Sequence, residues 1–347
     1  MKTSFYTISL AVLGVGLHGA SATAQELIVN SYGGPYADII QERIIKPFEE
    51  ETGIRVIYDA VGTASEDYAK IKATRGNPGF DVNVMTATQS LDGCRDGFLE
   101  VLTEDNVPNL AYLDPAVRDL AGDCAAVHEL QYVALLWRTD YLPEPPTSWS
   151  VLEQDELNGK IVLPNFGNIM AANMLQIFSS MEGGDPNEVD AGFAKMVELA
   201  PRAIAFPDTS ALMDRYLREG QAWAMPYFSG RAQLMKDEGV PVDFTIPEEG
   251  SVPLVSTLNI PIGAPNKEAA LQFVNFFLEK TSQEAWAEGY KVGSARSDIE
   301  VSEELQETQI TTSEAIQQLI LPDLAVMAER LPEWGERWER EVVPAAN

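Results

Sequence analysis

The first part of the chain alternates short apolar runs with amphipathic segments. The apolar runs Leu27–Asn30, Ile54–Tyr58 and Phe80–Met85 predict buried strands. Between them, Tyr36–Glu51 and Ser65–Thr74 have the periodicity of helices. Strands that alternate with helices build βαβ units, in which a mainly parallel sheet is covered by helices. The sequence therefore predicts an α/β fold.

The segment Ser31–Tyr36 lies between the first predicted strand and the first predicted helix. Gly33 and Gly34 allow a sharp turn of the backbone, and Pro35 suits a first helical position. Such a turn leaves backbone N–H groups unpaired at the helix start, which is a common place to hold a small solute. Ligands of open α/β sheets bind beyond the carboxyl ends of the strands, so we expect the loops after these strands to form one rim.

The rest of the chain is predicted to continue this pattern. Glu129–Arg138 predicts a long buried strand. The other predicted strands are Lys160–Leu163, Ile204–Phe206, Ala222–Pro226, Val242–Ile246 and Leu254–Pro261. The other predicted helices are Ala171–Met181, Glu188–Leu199, Thr209–Glu219, Arg231–Asp237 and Asn266–Glu279. The tail is expected to form one helix, Glu314–Glu329, with Ser313 as its N-cap.

Residues 1–24 are typical of a secretory signal. Lys2 supplies the charge, Phe5–Leu17 a short apolar core and Ala22–Ala24 small residues for cleavage. No later segment approaches the roughly 20 apolar residues of a membrane-spanning helix, and no cysteine near the cleavage point could carry a lipid. We therefore expect residues 25–347 to be a soluble periplasmic protein without a membrane anchor.

Charge, cysteine and histidine content limit the partners. The net charge of −29 makes nucleic acid and anionic lipid poor partners. Cys94 and Cys124, the only cysteines, are expected to pair as one structural disulfide in an oxidising compartment. His128 is the one histidine outside the signal segment and cannot build a His-rich metal site. We expect neither a metal nor a cofactor.

Several short segments, taken together in their order along the chain, are informative. They are Phe48–Val56, Phe80–Thr86, Pro145–Trp149, Ile246–Gly250, Ile260–Pro261, Asn266–Ala270 and Phe273–Leu278. In their order and spacing the chain resembles the periplasmic solute-binding proteins of ABC importers, in particular the spermidine/putrescine-binding branch. The resemblance covers nearly all of residues 25–347. It implies the type II periplasmic-binding-protein fold, with two α/β lobes, each a mainly parallel sheet flanked by helices, that clamp a ligand between them.

The resemblance also implies how the chain is divided between the lobes. Residues 25–133 and 262–310 would form lobe 1, and residues 134–261 and 311–347 would form lobe 2. Strands at the two crossings would act as hinges.

Ten residues correspond to positions that line the cleft in that branch. They are Ser31, Tyr32, Thr86, Thr88, Asn165, Phe166, Tyr227, Phe228, Ser256 and Tyr290. Arg231 is a candidate by its own chemistry, because a guanidinium at a helix start can bind a carboxylate, phosphonate or sulfonate bidentately. The alternative is a surface arginine that opens an amphipathic helix. Asp208, with Thr209, either caps the next helix or holds an amine.

The chain departs from polyamine binders at the positions that hold ammonium groups. Those proteins use carboxylates for the ammonium ends and tryptophans for the methylenes, as such a ligand requires. Here the loop that contains Asn165 has no acid, Leu254 and Ser256 replace an aromatic–acid pair, and Phe228 replaces a tryptophan. We therefore expect a small nitrogen-containing, anionic or zwitterionic organic solute other than a polyamine.

These observations predict the substrate-binding component of an ABC importer and not an enzyme. A solute would enter the open cleft, and the lobes would close about Tyr132–Trp137 and Ser256–Ile260. The closed protein, expected to be a monomer, would dock to permease subunits in the inner membrane. Two alternatives remain open: a secreted hydrolase that uses paired carboxylates, and a chemosensory binding protein that presents its ligand to a partner.

Overall fold

The computed structural model describes residues 26–60, 64–317 and 319–346 of the 347-residue chain. The predicted signal segment, residues 1–24, lies outside the described residues. The described residues form a mixed α/β structure in which a large sheet is flanked by helices. The strands are β1 (Glu26–Asn30), β2 (Arg55–Asp59), β3 (Val82–Thr86), β4 (Ala126–Arg138), β5 (Ile161–Val162), β6 (Ala203–Ala205), β7 (Ala224–Phe228), β8 (Val242–Thr245) and β9 (Pro253–Asn259).

The α-helices lie mainly between and after these strands. They are α1 (Pro35–Ile40), α2 (Lys46–Thr52), α3 (Ala64–Ala73), α4 (Ala87–Arg95), α5 (Pro115–Ala121), α6 (Met170–Ser180), α7 (Asp190–Leu199), α8 (Ser210–Arg218), α9 (Ser229–Asp237), α10 (Lys267–Phe277), α11 (Lys280–Tyr290), α12 (Glu303–Thr308), α13 (Ser313–Gln317) and α14 (Leu324–Ala345). Short 3₁₀ helices lie at Pro108–Tyr112, Trp149–Glu153, Asp155–Leu157, Met181–Gly183 and Ala200–Arg202. Within the described part of the chain, no helix is both long enough and apolar enough to cross a membrane.

The strands lie in the order β2-β1-β3-β9-β4-β7-β5-β6, and β8 also pairs with β4. β1 runs parallel to β2 and β3, and β5 runs parallel to β6 and β7. β4 and β9 pair antiparallel with each other and with their other neighbours. We call β1, β2, β3 and β9 the first strand group, and β5, β6, β7 and β8 the second strand group. Each group has a parallel part, and β4 joins the two.

β4 belongs to neither group alone, because its pairing partner changes along its length. From Ala126 to Tyr132 it pairs with β9, and from Val133 to Arg138 it pairs with β7 and β8. All 13 of its residues are buried, as expected for a central strand. β4 changes its pairing partner at the crossing predicted near residue 133. The predicted division of the chain into two lobes stays a prediction.

The helix predicted after the first turn is continuous but not uniform. A π turn, Gln41–Ile45, separates α1 from α2. The apolar face of this continuous helix, formed by Ile40, Ile44 and Phe48, is fully buried. Gly34 precedes the helix with a φ of 66°, a left-handed conformation that glycine adopts without strain. The turn therefore needs glycine at this position.

The segment predicted as a loop after β3 is the start of α4. Thr86 and Gln89 form a capping box, in which the Thr86 N–H donates to Gln89 Oε1 at 3.1 Å. This reciprocal bonding stabilises the helix start, so the chain is helical from Ala87 onward. Near the end of α4, Cys94 is joined to Cys124, with the sulfur atoms 2.05 Å apart.

The prediction of a single tail helix, Glu314–Glu329, is wrong. Pro322 interrupts the segment, because proline removes a backbone donor and disfavours the helical conformation of the residue before it. Asp323 then caps α14, and its Oδ1 accepts from the N–H groups of Ala325 and Val326 at 2.9 and 3.1 Å. The result is two helices, α13 and α14. α14 packs against both α4 and α7.

Candidate functional site

A cavity of about 460 Å³ lies where the two strand groups meet. The β1–α1 turn and the starts of α3 and α4 line it from the first group. The segments after β5 and β6, together with α8 and α9, line it from the second group. Residues of β4, β9 and α11 complete the lining. A cavity of this size fits a small organic ligand.

Aromatic rings form a connected cluster at the cavity. The ring of Tyr36 meets those of Tyr32, Trp286 and Tyr290 edge to face, with ring centres 5.2, 4.8 and 5.1 Å apart. The rings of Trp286 and Tyr290 stack at 5.0 Å. Phe228, from β7, adds a further ring to the lining. Such rings supply apolar surface for methylene groups and π faces that attract cations.

Glu129 is a buried carboxyl group that lines the cavity, and only 2% of the residue is exposed. Its Oε1 accepts from Gln131 Nε2 at 2.6 Å and from Ser256 Oγ at 3.2 Å. Its Oε2 accepts from Trp286 Nε1 at 3.3 Å. Burial raises the pKa of Glu129 to about 7, although these hydrogen bonds and the nearby Arg231 act in the opposite direction. The carboxyl group therefore titrates near neutral pH.

His128 is adjacent to Glu129 in sequence but does not line the cavity. It is fully buried, and its Nε2 lies 3.1 Å from the hydroxyl of Tyr36. Burial lowers the pKa of His128 to about 3. The ring is therefore neutral at physiological pH, and its 3.8 Å contact with Glu129 Oε2 is not an ion pair.

Arg231 is the cation of the site, and 17% of its side chain is exposed. Its Nη1 lies 3.6 Å from Oδ2 of Asp214, which is longer than a hydrogen bond. Burial opposes the charge of Arg231, but nearby Tyr290 and Asp214 outweigh it and hold its pKa above the ordinary value. Burial raises the pKa of Asp214 to about 6, and the positive charge of Arg231 limits this rise.

Asp208 is an exposed acid at the cavity. Its Oδ1 accepts from Nδ2 of Asn165 at 2.8 Å, and Oδ1 of Asn165 accepts from Nε1 of Trp338 at 3.0 Å. Thr209, not Asp208, caps α8, because its side chain accepts from the N–H of Leu212. The capping role predicted for Asp208 with Thr209 is thus filled by Thr209.

The structure brings six of the predicted site residues together in the cavity lining. They are Tyr32, Thr86, Phe228, Arg231, Ser256 and Tyr290. They come from the β1–α1 turn, the end of β3, β7, α9, β9 and α11. The alternative of Arg231 as a purely surface arginine does not fit this position.

Ser31 and Tyr227 do not line the cavity. Ser31 is buried in the β1–α1 turn, where its N–H donates to the carbonyl of Asp59 at 3.1 Å. β7 extends through Tyr227 and Phe228, two residues past the predicted strand end. Because successive side chains of a strand point to opposite faces, Tyr227 points away from the cavity when Phe228 lines it. The hydroxyl of Tyr227 donates to the carbonyl of Ser210 at 3.2 Å.

Thr88, Asn165 and Phe166 also lie outside the cavity lining. Thr88 is buried in the first turn of α4, with its Oγ1 2.8 Å from Oγ1 of Thr86. Asn165 is occupied by the hydrogen bonds described above. Phe166 packs toward Trp338, with ring centres 5.7 Å apart. These three side chains pack behind the residues that line the cavity and do not line it themselves.

The sequence-based prediction missed several polar residues of the lining, above all Glu129 and Gln131. Both were assigned only to a buried strand. They are two residues apart in an otherwise apolar run, so they share one face of β4. Polar residues with this spacing in a buried strand indicate a polar site, and that signal was present in the sequence.

Comparison with known proteins places the chain in a family. Residues 43–312 match the family model of bacterial extracellular solute-binding proteins. The chain is 26% identical over 287 residues to the spermidine/putrescine-binding periplasmic protein of Escherichia coli, with 80% of each chain covered. It is 24% identical over 299 residues to the gamma-aminobutyric acid-binding protein of Pseudomonas aeruginosa, covering 82% of this chain and 81% of that protein.

A solved structure shows the same fold. The periplasmic binding protein AfuA of Actinobacillus pleuropneumoniae, with fructose-6-phosphate bound, superposes with a TM-score of 0.78 at 20% identity. The match covers 92% of this chain and 99% of that structure. The two strand groups and the cavity between them thus correspond to the two-lobed fold of periplasmic binding proteins. The chain belongs to the bacterial extracellular solute-binding proteins.

Proposed function

We propose that this protein is the periplasmic substrate-binding component of an ABC importer and that it captures a small charged organic solute. The relatives named above are periplasmic or solute-binding proteins for spermidine, putrescine and gamma-aminobutyric acid, which supports a nitrogen-containing solute of similar size. Export to the periplasm and function as a monomer are part of this proposal.

One observation carries the proposal: a cavity lined by both strand groups holds charged groups of both signs that have little exposure to water. Glu129 and Arg231 are largely withdrawn from water, and aromatic rings lie beside them. Charged groups are costly to bury without full partners, so such groups around a cavity indicate a place where a ligand completes their contacts.

The architecture supports capture by closure. β4 passes from one strand group to the other between Tyr132 and Val133, and β9 borders its first part. Small backbone rotations in these strands would move the β1–α1 turn toward α8 and α9 and enclose the solute. The predicted hinge segments, Tyr132–Trp137 and Ser256–Ile260, lie on β4 and at β9.

Thermal unfolding of residues 25–347 with a panel of polyamines, amino acids, phosphonates and sulfonates tests the proposal. A solute that binds only the folded protein raises its Tm, and at 100 times Kd it adds about 2.7 kcal/mol. Calorimetry should give one site per chain. Phe228→Ala should weaken binding, whereas Ile246→Ala, at an exposed position, should leave it unchanged. If no member of the panel raises the Tm, the proposal is rejected.

The same experiments separate the alternative functions. A binding protein returns its solute unchanged, so NMR of the solute after long incubation should show no product, whereas a hydrolase would release one. Capture of membrane proteins by the ligand-loaded protein should recover permease subunits. Recovery of a sensor protein in their place would indicate the chemosensory role.

A further inference from the structure

We propose that the cavity is selective for a zwitterion of amino-acid size, with its cationic nitrogen at Glu129 and its carboxylate at Arg231. This inference rests on the proposed function and specifies its substrate class. It follows from how the charged groups of the cavity are paired. Among the described residues, Glu129 has uncharged hydrogen-bond donors around it, and Arg231 lacks the bidentate carboxylate that the buried arginines have.

Glu129 is suited to a cationic nitrogen. Its three protein partners, Gln131, Ser256 and Trp286, are uncharged donors, so they satisfy hydrogen bonds without supplying a counter-charge. The neighbouring His128 is neutral. A carboxylate withdrawn from water and surrounded by uncharged partners is stabilised strongly by an arriving ammonium group, and the aromatic rings nearby favour the same charge.

Arg231 differs from two buried arginines, Arg138 and Arg296. Arg138 donates from Nε and Nη2 to both carboxylate oxygens of Asp140, at 2.9 and 2.6 Å, and Arg296 binds the acid two residues further along in the same way. Among the described residues, the one acid within 4.0 Å of Arg231 is Asp214, at 3.6 Å. The guanidinium fork of Arg231 therefore lines the cavity without a bidentate partner, and that geometry matches a carboxylate.

Tyr290 links the two anchors. It lines the cavity together with both of them, and its electrostatic interactions include both Arg231 and Glu129. Gln131 also connects the segments that carry the anchors. It donates to Glu129 at 2.6 Å and accepts from the N–H of Gly230, the residue before Arg231, at 3.1 Å. The anchors thus lie on neighbouring segments, which suits the short distance between the charged groups of an amino acid.

The same pair of anchors disfavours other charge patterns. A diamine that placed one ammonium at Glu129 would bring its other ammonium toward Arg231, and a diacid would bring a carboxylate toward Glu129. Like charges brought together in an interface cost several kcal/mol. The cavity should therefore select zwitterions over dications and dianions of the same length.

Calorimetry with three four-carbon probes, putrescine, gamma-aminobutyric acid and succinate, together with the protein amino acids, tests this selectivity. We expect the tightest binder to be a zwitterion. Glu129→Gln and Arg231→Gln should each raise its Kd by about 30-fold or more, as loss of one partner of a buried charge pair does. Arg231→Gln should also improve the binding of putrescine relative to the zwitterion. The matched controls Glu104→Gln and Arg118→Gln break a surface ion pair of 2.8 Å. They should change neither the Kd of the zwitterion nor the binding of putrescine relative to it.

Mass spectrometry of ligand released from the purified wild-type protein provides a test that needs no variant. A zwitterion supports the proposal. A diamine or a diacid, found there or as the tightest probe, overturns it but leaves the proposed function standing. A neutral solute overturns it and also overturns the charged solute of the proposed function. Absence of binding by every probe and absence of any released ligand reject both.

Discussion

The indole nitrogen of Trp286 donates a hydrogen bond to Oε2 of Glu129 across 3.3 Å. The two residues are 157 positions apart in the chain, so this bond fixes α11 against β4 beside the cavity. It holds in place a carboxyl group that burial has made a weak acid, with a pKa of about 7.

The pH dependence of stability should report on Glu129. The pKa of Glu129 is about 7 in the folded protein and 4.5 for an ordinary glutamate, so the folded state holds the proton between these values. The stabilisation from this proton is therefore fully present below pH 4.5 and is lost as pH rises through 7. Over that range the free energy of unfolding should fall by roughly 3 kcal/mol. Glu129→Gln should be more stable than wild type above pH 7 and show little difference at pH 4. Urea unfolding across this range measures the difference, and parallel profiles would contradict it.

Asp214 should compete with the ligand for Arg231. Its carboxylate lies 3.6 Å from Nη1, and its pKa is about 6. Asp214→Asn removes the competing charge, so a short alkyl sulfonate should bind roughly tenfold more tightly at pH 7.5. At pH 5 wild-type Asp214 is mostly protonated, and the difference should nearly vanish. Calorimetry at the two pH values measures this; equal affinities at pH 7.5 would show that Asp214 does not compete.

Asn165 should behave as a supporting residue and not as a ligand contact. Asn165→Ala removes a bond to Asp208 and leaves the Trp338 N–H without its acceptor. Loss of a buried partner costs about 1–3 kcal/mol, so the free energy of unfolding should fall by that amount. Asn165→Asp keeps an acceptor for Trp338 but places a charge beside Asp208. A loss of affinity with unchanged stability in the alanine variant would restore the predicted contact with the ligand.

Removal of the Cys94–Cys124 disulfide should destabilise the protein. The cysteines are 30 positions apart, and the chain-entropy model gives about 3–4 kcal/mol for a loop of this length. The double variant Cys94→Ser with Cys124→Ser should lose that much in urea unfolding, and reducing agent should affect only the wild type. A loss below about 1 kcal/mol would mean that the unfolded chain is restricted in other ways.

Much of the fold could be predicted because local patterns carry it. The alternation of apolar runs and amphipathic segments identified β1 to β3 and their helices, since burial on both sheet faces requires such runs. The tail was mispredicted because the apolar periodicity was followed past Pro322 and Asp323, although those residues mark a helix end and a new N-cap.

The site was predicted less completely because it depends on contacts between distant segments. The resemblance implied ten site residues and the chemistry of Arg231 added another, and six of these eleven line the cavity. The extent of β7 decides whether Tyr227 or Phe228 faces the cavity. The ends of strands and helices are the least certain part of a sequence-based prediction. The spacing of Glu129 and Gln131 was a local signal, but the other partners of Glu129, Ser256 and Trp286, are connected to it by no local pattern.

The position of α14 has a consequence for the cooperativity of unfolding. Its buried tryptophans, Trp334 and Trp338, belong to a helix that contacts both α4 and α7. α4 follows a strand of the first group, and α7 precedes a strand of the second group. Because one helix covers both parts, its detachment would uncover apolar surface on each of them. The two parts should therefore unfold in one step and not in two.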